Sequence, residues 1–70
     1  MNMKEKYLKA IEWLNHIARL CNFSSREYTS IISGIRFTIL MDSDINPDEF
    51  DELLDIIDKN IYNFRHKISG

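Results

Sequence analysis

Residues 42–58, DSDINPDEFDELLDIID, decide the fold because they combine an acidic turn with the clearest helix start in the chain. The stretch holds eight of the eleven carboxylates and no lysine or arginine. Asn46 can accept a hydrogen bond from the backbone N–H of Glu49, and Pro47 stands where a missing N–H costs nothing. Asp48 and Glu49 place negative charge at the positive end of the helix dipole. The sequence therefore predicts a helix that begins at residue 47.

Apolar residues continue from this start with the period of a helix. At about 100° per residue they fall on one stripe, which consists of Phe50, Leu53, Leu54, Ile57, Ile61, Phe64 and Ile68. The pattern predicts an amphipathic helix over residues 47–67.

Two further helices are predicted upstream. The first covers residues 4–21 and has no good capping residue before it. The face that it directs to the core consists of Met3, Tyr7, Ile11, Leu14, Ala18 and Cys21. Ser24 and Glu27 have the spacing of a capping box, which starts the second helix over residues 25–41. Its main stripe consists of Tyr28, Ile31, Ile32, Ile35 and Ile39.

The end of the second helix has an alternative interpretation. Residues 34–41 alternate with period two and are rich in β-forming residues, so a strand in a swapped or strand-paired dimer is the competing prediction. We favour the helix, because a lone strand would have no partner within the chain. Gly34 in mid-helix indicates either a kink or the close approach of another helix.

Composition and charge limit the class of protein. The 70 residues are 44% hydrophobic and 29% charged, which is typical of one small globular domain. Residues 1–41 carry six bases and three acids, residues 42–58 eight acids, and residues 59–70 three bases. Cys21 is the only cysteine and no apolar run approaches the roughly 20 residues of a membrane span, so we expect a soluble, cytoplasmic protein.

The acidic turn partly resembles a calcium-binding loop. Asp42, Asp44, Asn46 and Asp48 alternate like the oxygen ligands of an EF-hand. If Asp42 is the first ligand, however, Pro47 takes the place of the required glycine and a leucine replaces the last carboxylate. A degenerate EF-hand-like calcium site is therefore an alternative, and we predict no bound metal or other cofactor.

The sequence gives little support to nucleic-acid binding or to enzymatic activity. A helix-turn-helix protein would insert the third helix into DNA, and phosphates would repel its acidic start. The remaining nucleic-acid alternative is a DNA-associated transcriptional regulator that uses basic N-terminal residues, namely Lys4, Lys6 and Lys9 with Arg19 or Arg36. We predict no enzyme, because Cys21 falls on the core face and His16 and His66 each stand alone.

Large apolar residues exceed what a small three-helix core can use. Those outside the core stripes are Trp13, Leu20, Phe37, Leu40, Met41, Ile56 and Tyr62. Exposed aromatic residues and methionines are typical of interfaces. We therefore predict an all-α fold, a three-helix bundle or a helical hairpin plus a third helix, completed by dimerisation. Its function would be a non-enzymatic protein–protein interaction module, a regulator, adaptor or inhibitor whose acidic residues Asp51, Asp55 and Asp58, beside Tyr62, attract a basic partner.

Overall fold

Three helices build the fold, which a computed structural model describes for residues 2–69 and, at the level of side chains, for residues 2–66. Helix α1 spans Met3–Leu20, α2 spans Ser25–Leu40 and α3 spans Pro47–Ser69. The all-α prediction is confirmed, and each helix ends within two residues of its predicted bound. The strand interpretation of residues 34–41 is wrong, because α2 continues to Leu40. Ile68, predicted on the stripe of α3, lies outside the described side chains.

Side-chain caps fix where α1 and α2 begin. Asn2 caps α1 by accepting the backbone N–H of Glu5 at 2.9 Å, so the expectation of an uncapped first helix is wrong. The capping box of α2 is confirmed. The Ser24 hydroxyl accepts the Glu27 N–H at 3.1 Å, and the Glu27 carboxylate accepts the Ser24 N–H at 3.0 Å. These bonds satisfy backbone donors that have no partner within the helix.

The start of α3 differs from the prediction in one contact. Asn46 accepts the N–H of Asp48 at 2.9 Å rather than that of Glu49, while its carbonyl accepts the first intrahelical bond, from Phe50, at 2.8 Å. In the preceding turn Asp42 accepts the N–H of Asp44 at 2.9 Å. Asx turns of this kind satisfy the backbone locally and need no metal ion.

Helix α1 ends because the chain turns left-handed at Asn22, whose φ is 58°. Asparagine tolerates this conformation better than most residues. The N–H of Phe23 then reaches back to the carbonyl of Ala18 at 3.0 Å, which is the signature of a Schellman motif. The turn leaves Cys21 exposed, so its predicted place in the core is wrong.

Contacts between the helices give their directions. Tyr7 pairs with Asp42 and Asn15 with Tyr28, so α1 and α2 are antiparallel. Lys4 pairs with Glu52 and Asn15 with Asn60, so α1 and α3 are parallel. The result is an up-down-up three-helix bundle with extents of 36 × 18 × 15 Å.

The core draws on all three helices. Its buried members are Ile11, Leu14, Ala18, Tyr28, Ile32, Ile39, Leu53 and Ile57. All eight belong to predicted stripes. Ile31, predicted on the main stripe of α2, is 43% exposed. A Cβ atom on Gly34 would meet nothing within 4 Å, so of the two alternatives for this glycine the close approach of another helix is wrong. Ile56, which we had assigned to the apolar surplus, packs half-buried against the core.

A polar network crosses the core at one level. The Tyr28 hydroxyl donates to the Asn15 side-chain carbonyl, the Asn15 amide donates to Asn60 at 2.8 Å, and the Asn60 amide donates to the Ile56 carbonyl at 2.8 Å. The Tyr28 ring stacks on Phe64 with centroids 4.0 Å apart. Burial raises the pKa of the Tyr28 hydroxyl. Among the described side chains no buried nitrogen or oxygen lacks a partner, so these hydrogen bonds offset the desolvation of the polar groups and join the three helices at this level.

Candidate interaction surface

Helix α1 carries an exposed row on the side opposite its core face. Its members are spaced by three and four residues, which places them on one face; from the amino end they are Lys6, Lys9, Trp13, His16 and Leu20. We call this set the α1 row. Trp13 is 68% exposed and Leu20 73% exposed. The row contains two lysines and no carboxylate, so its amino half is basic and its carboxyl half is largely apolar.

The carboxyl end of α2 presents three further apolar side chains to solvent. Phe37 is 63% exposed, and Leu40 and Met41 are also exposed. Phe37 lies nearly opposite the core face of α2, because Tyr28, Ile32 and Ile39 occupy that face. The helical period of the apolar residues predicted that Phe37 would lie outside the core stripe of this helix.

Helix α3 carries a second exposed row with the same spacing as the first. From the amino end it consists of Asp48, Asp51, Asp55, Asp58 and Tyr62. We call it the α3 row. Two of its carboxylates have cationic neighbours: Lys59 Nζ lies 3.0 Å from Asp55, and Arg36 Nη1 lies 3.9 Å from Asp58. Exposed pairs of this kind contribute little to stability, so the row remains available to a partner.

The structure brings part of the predicted interaction set together. The contact between Arg36 and Asp58 shows that α2 and α3 are neighbours on this side. Because the two helices are antiparallel, Leu40, one turn beyond Arg36, lies at the level of Leu54, about one turn before Asp58. Leu40 therefore borders the α3 row, and Phe37 lies one turn before it on the outer side of α2. We call Phe37, Leu40 and the α3 row together the α2–α3 face.

Trp13 and Leu20 belong to a different side of the molecule. Lys4 and Asn15 mark the side of α1 that meets α3, since they bond to Glu52 and Asn60. Trp13 and Leu20 project more than 100° away from that side. The predicted set of anchors is therefore divided between two surfaces, a division that periodicity within single helices does not reveal.

Several charged residues that the sequence had offered as site residues are engaged in the fold. Lys4 forms an ion pair with Glu52, whose hydrogen bond raises the pKa of the ammonium. The Tyr7 hydroxyl donates to Asp42 at 2.7 Å, which lowers the pKa of that carboxyl and raises the pKa of Tyr7 to about 12. Of the three N-terminal lysines proposed for DNA binding, Lys4 thus serves the contact between α1 and α3.

Metal-ligating groups and one open groove were the remaining places where a site could be assembled in the described residues. Within residues 2–66 no group of three or more His, Cys, Asp and Glu side chains is placed to hold a metal ion. A wide, open groove of about 500 Å³ between α2 and α3 is lined by Ser25, Arg26, Thr29, Ser30, Ser33 and Arg65. Its hydroxyls have no histidine or carboxylate beside them in that lining, so no nucleophile is paired with a base there. His66 stacks on Tyr62 with centroids 3.9 Å apart.

Comparison with known proteins does not assign the chain to a family. No protein family model matches the chain, and no curated protein or solved structure is significantly similar to it. Among the residues that the structure describes, no helix combines the length and the apolar character needed to cross a membrane. Any function must be argued from the geometry and charge of the chain itself.

Proposed function

We propose that this chain is a small non-enzymatic protein–protein interaction module, a regulator, adaptor or inhibitor that acts by occluding or bridging its partners. The observation that carries the proposal is the α2–α3 face, where the exposed Phe37 and Leu40 of α2 and the carboxylates of the α3 row lie on neighbouring helices. Apolar side chains of this size supply binding energy when a partner covers them. Neighbouring carboxylates favour partners of opposite charge.

The partner that suits this face is a basic amphipathic helix. Its apolar side would cover Phe37 and Leu40, and its lysines or arginines would meet Asp51 and Asp55. We further propose that the chain acts in the cytoplasm, because its single thiol cannot form an internal disulfide. Self-association, as a dimer or a larger assembly, belongs to the same proposal, since a second copy can cover apolar surface as well as a foreign partner.

Site-specific photo-crosslinking in the native host tests the proposal. A photoreactive amino acid replaces Phe37 in one variant and Glu12, an exposed residue of α1, in the control. We expect a discrete protein adduct from position 37 that is absent from position 12. Identical adducts from both positions, or none from position 37, would contradict the proposal.

Charge reversal then tests electrostatic attraction with the captured partner. Asp55→Lys with Asp58→Lys should slow association by about tenfold or more at low salt, because steering by opposite charges typically changes on-rates by 10- to 1,000-fold. Glu5→Lys with Glu12→Lys makes the same change in net charge on α1 and serves as the matched control. Equal on-rates for the two double variants would remove the role of the α3 row.

A further inference from the structure

The α1 row and the α3 row have the same geometry and complementary chemistry. Both follow a 3-4-3-4 spacing on the outer side of their helices, and their members are exposed. The first two positions are lysines in the α1 row and aspartates in the α3 row. The last position is apolar or aromatic in each, Leu20 in one and Tyr62 in the other. Each row thus offers what the other lacks.

One molecule cannot bring its own two rows together. Each row lies on the side of its helix opposite the buried face, which contains Ile11 and Leu14 in α1 and Leu53 and Ile57 in α3. The helices pack through those buried faces, so the rows point away from each other. A row can therefore meet its complement only on another molecule.

The order of residues favours a parallel alignment of the two helices. Aligned in parallel from their first members, the rows place Lys6 opposite Asp48, Lys9 opposite Asp51 and Leu20 opposite Tyr62. Trp13 then faces the level of Asp55, where Leu40 of α2 also lies. An antiparallel alignment would instead set Leu20 against Asp48 and leave its apolar surface facing a carboxylate.

We propose that the α1 row of one copy docks in parallel on the α2–α3 face of a second copy, with Trp13 beside Phe37 and Leu40. The inference rests on the proposed function, because it names a second copy of this chain as a partner for that face. The contact joins two different surfaces, so a docked pair keeps a free α3 row on one molecule and a free α1 row on the other. Such contacts extend into a chain of molecules or close into a ring, and a two-fold dimer does not use them.

A charge-swap experiment tests the inference directly. One variant carries Lys6→Glu and Lys9→Glu, so both of its rows are acidic. The other carries Asp48→Lys and Asp51→Lys, which reverses the charge at the two positions that the parallel alignment sets opposite Lys6 and Lys9. Molecular mass is measured by light scattering over a concentration series at low salt, for the wild type, each variant and their equimolar mixture. Circular dichroism verifies that both variants keep their helices.

We expect the wild type to grow beyond a dimer as concentration rises, and to dissociate in high salt because screening weakens the ion pairs. Each variant alone should need at least tenfold higher concentration to assemble. The mixture should regain the wild-type behaviour, since the reversed charges of one variant then face reversed charges of opposite sign on the other. Arg19→Glu with Arg26→Glu, off both rows, is the matched control and should assemble like the wild type.

Two outcomes would overturn the inference. One is a wild type that remains monomeric at the highest concentration; the other is a mixture that assembles no better than its components. Neither outcome removes the proposed function, because a foreign protein cross-linked from Phe37 would still identify the α2–α3 face as a binding surface. An adduct from position 37 that contains only a second copy of this chain would restrict the face to self-association.

Discussion

Alanine substitutions at two nearby positions in α2 test which side chain belongs to the core and which to the surface. Ile39 is 0% exposed and Phe37 is 63% exposed, although both belong to the same two turns of one helix. Ile39→Ala should cost about 2–5 kcal/mol, the usual range for a buried isoleucine. Phe37→Ala loses only the third or so of the side chain that is covered, roughly 0.5–1 kcal/mol when full burial contributes about 1.5–3. The better helix propensity of alanine offsets about 0.5 kcal/mol of this loss.

Urea unfolding followed by circular dichroism measures the difference. For a chain of this size the free energy of unfolding falls by about 1 kcal/mol per molar urea. Ile39→Ala should therefore lower the unfolding midpoint by about 2 M or more, and Phe37→Ala should shift it by less than about 0.5 M. The measurement is made at several protein concentrations, because assembly would stabilise the wild type through mass action.

The reasoning fails if Phe37→Ala is as destabilising as Ile39→Ala at a concentration where the wild type is monomeric. Phe37 would then belong to the core, and the α2–α3 face would lose its main apolar anchor. If Phe37→Ala is less stable than the wild type only in concentrated samples, Phe37 contributes through association, which is the expected role.

Three further predictions concern polar contacts of the fold. Ser24→Ala should cost about 1 kcal/mol by urea unfolding, because it removes the cap of α2, and an unchanged midpoint would contradict the capping box. Tyr28→Phe should cost about 0.5–1.5 kcal/mol, since it removes the hydroxyl that donates to Asn15; Tyr62→Phe, at an exposed ring, is the control. Ultraviolet titration should show one tyrosine with a pKa of about 12, absent in Tyr7→Phe. The folded-state pKa of Tyr7 lies above the ordinary value of 10.0. The contribution of its hydrogen bond to the free energy of unfolding is therefore complete below pH 10.0 and is lost as the pH rises toward about 12.

Local signals predicted the helices well, because a capping residue acts over three or four positions. Ser24 with Glu27, and Asn46 with Pro47, mark the starts of α2 and α3 in the sequence itself. Asn2 was overlooked although it provides the same chemistry. Cys21 was misplaced because projection onto a helix ceases to apply where the chain turns, and α1 ends one residue before it.

The period of apolar residues within a helix did not predict which residues of different helices are in contact. A stripe shows which face of a helix is buried but not which residues of two helices lie at the same level. Asn15 and Asn60 are separated by 45 positions, and nothing in either segment indicates that they meet. Ile31 lies on a predicted stripe and is still exposed, since the edge of a stripe is covered only where a neighbouring helix extends over it. The division of the apolar surplus between two surfaces has the same cause.

The core and the two rows are independent parts of this small protein. Eight buried residues and a satisfied polar network hold the helices together, and no member of either row takes part in that core. Trp13, Leu20 and Phe37 therefore add almost nothing to the stability of the isolated chain while exposing apolar surface that water disfavours. A chain of 70 residues has little stability to spare, so this exposure is best explained by surfaces that another protein covers. In our proposal the opposite charges beside the two apolar surfaces select that protein, and a second copy of the chain would satisfy both.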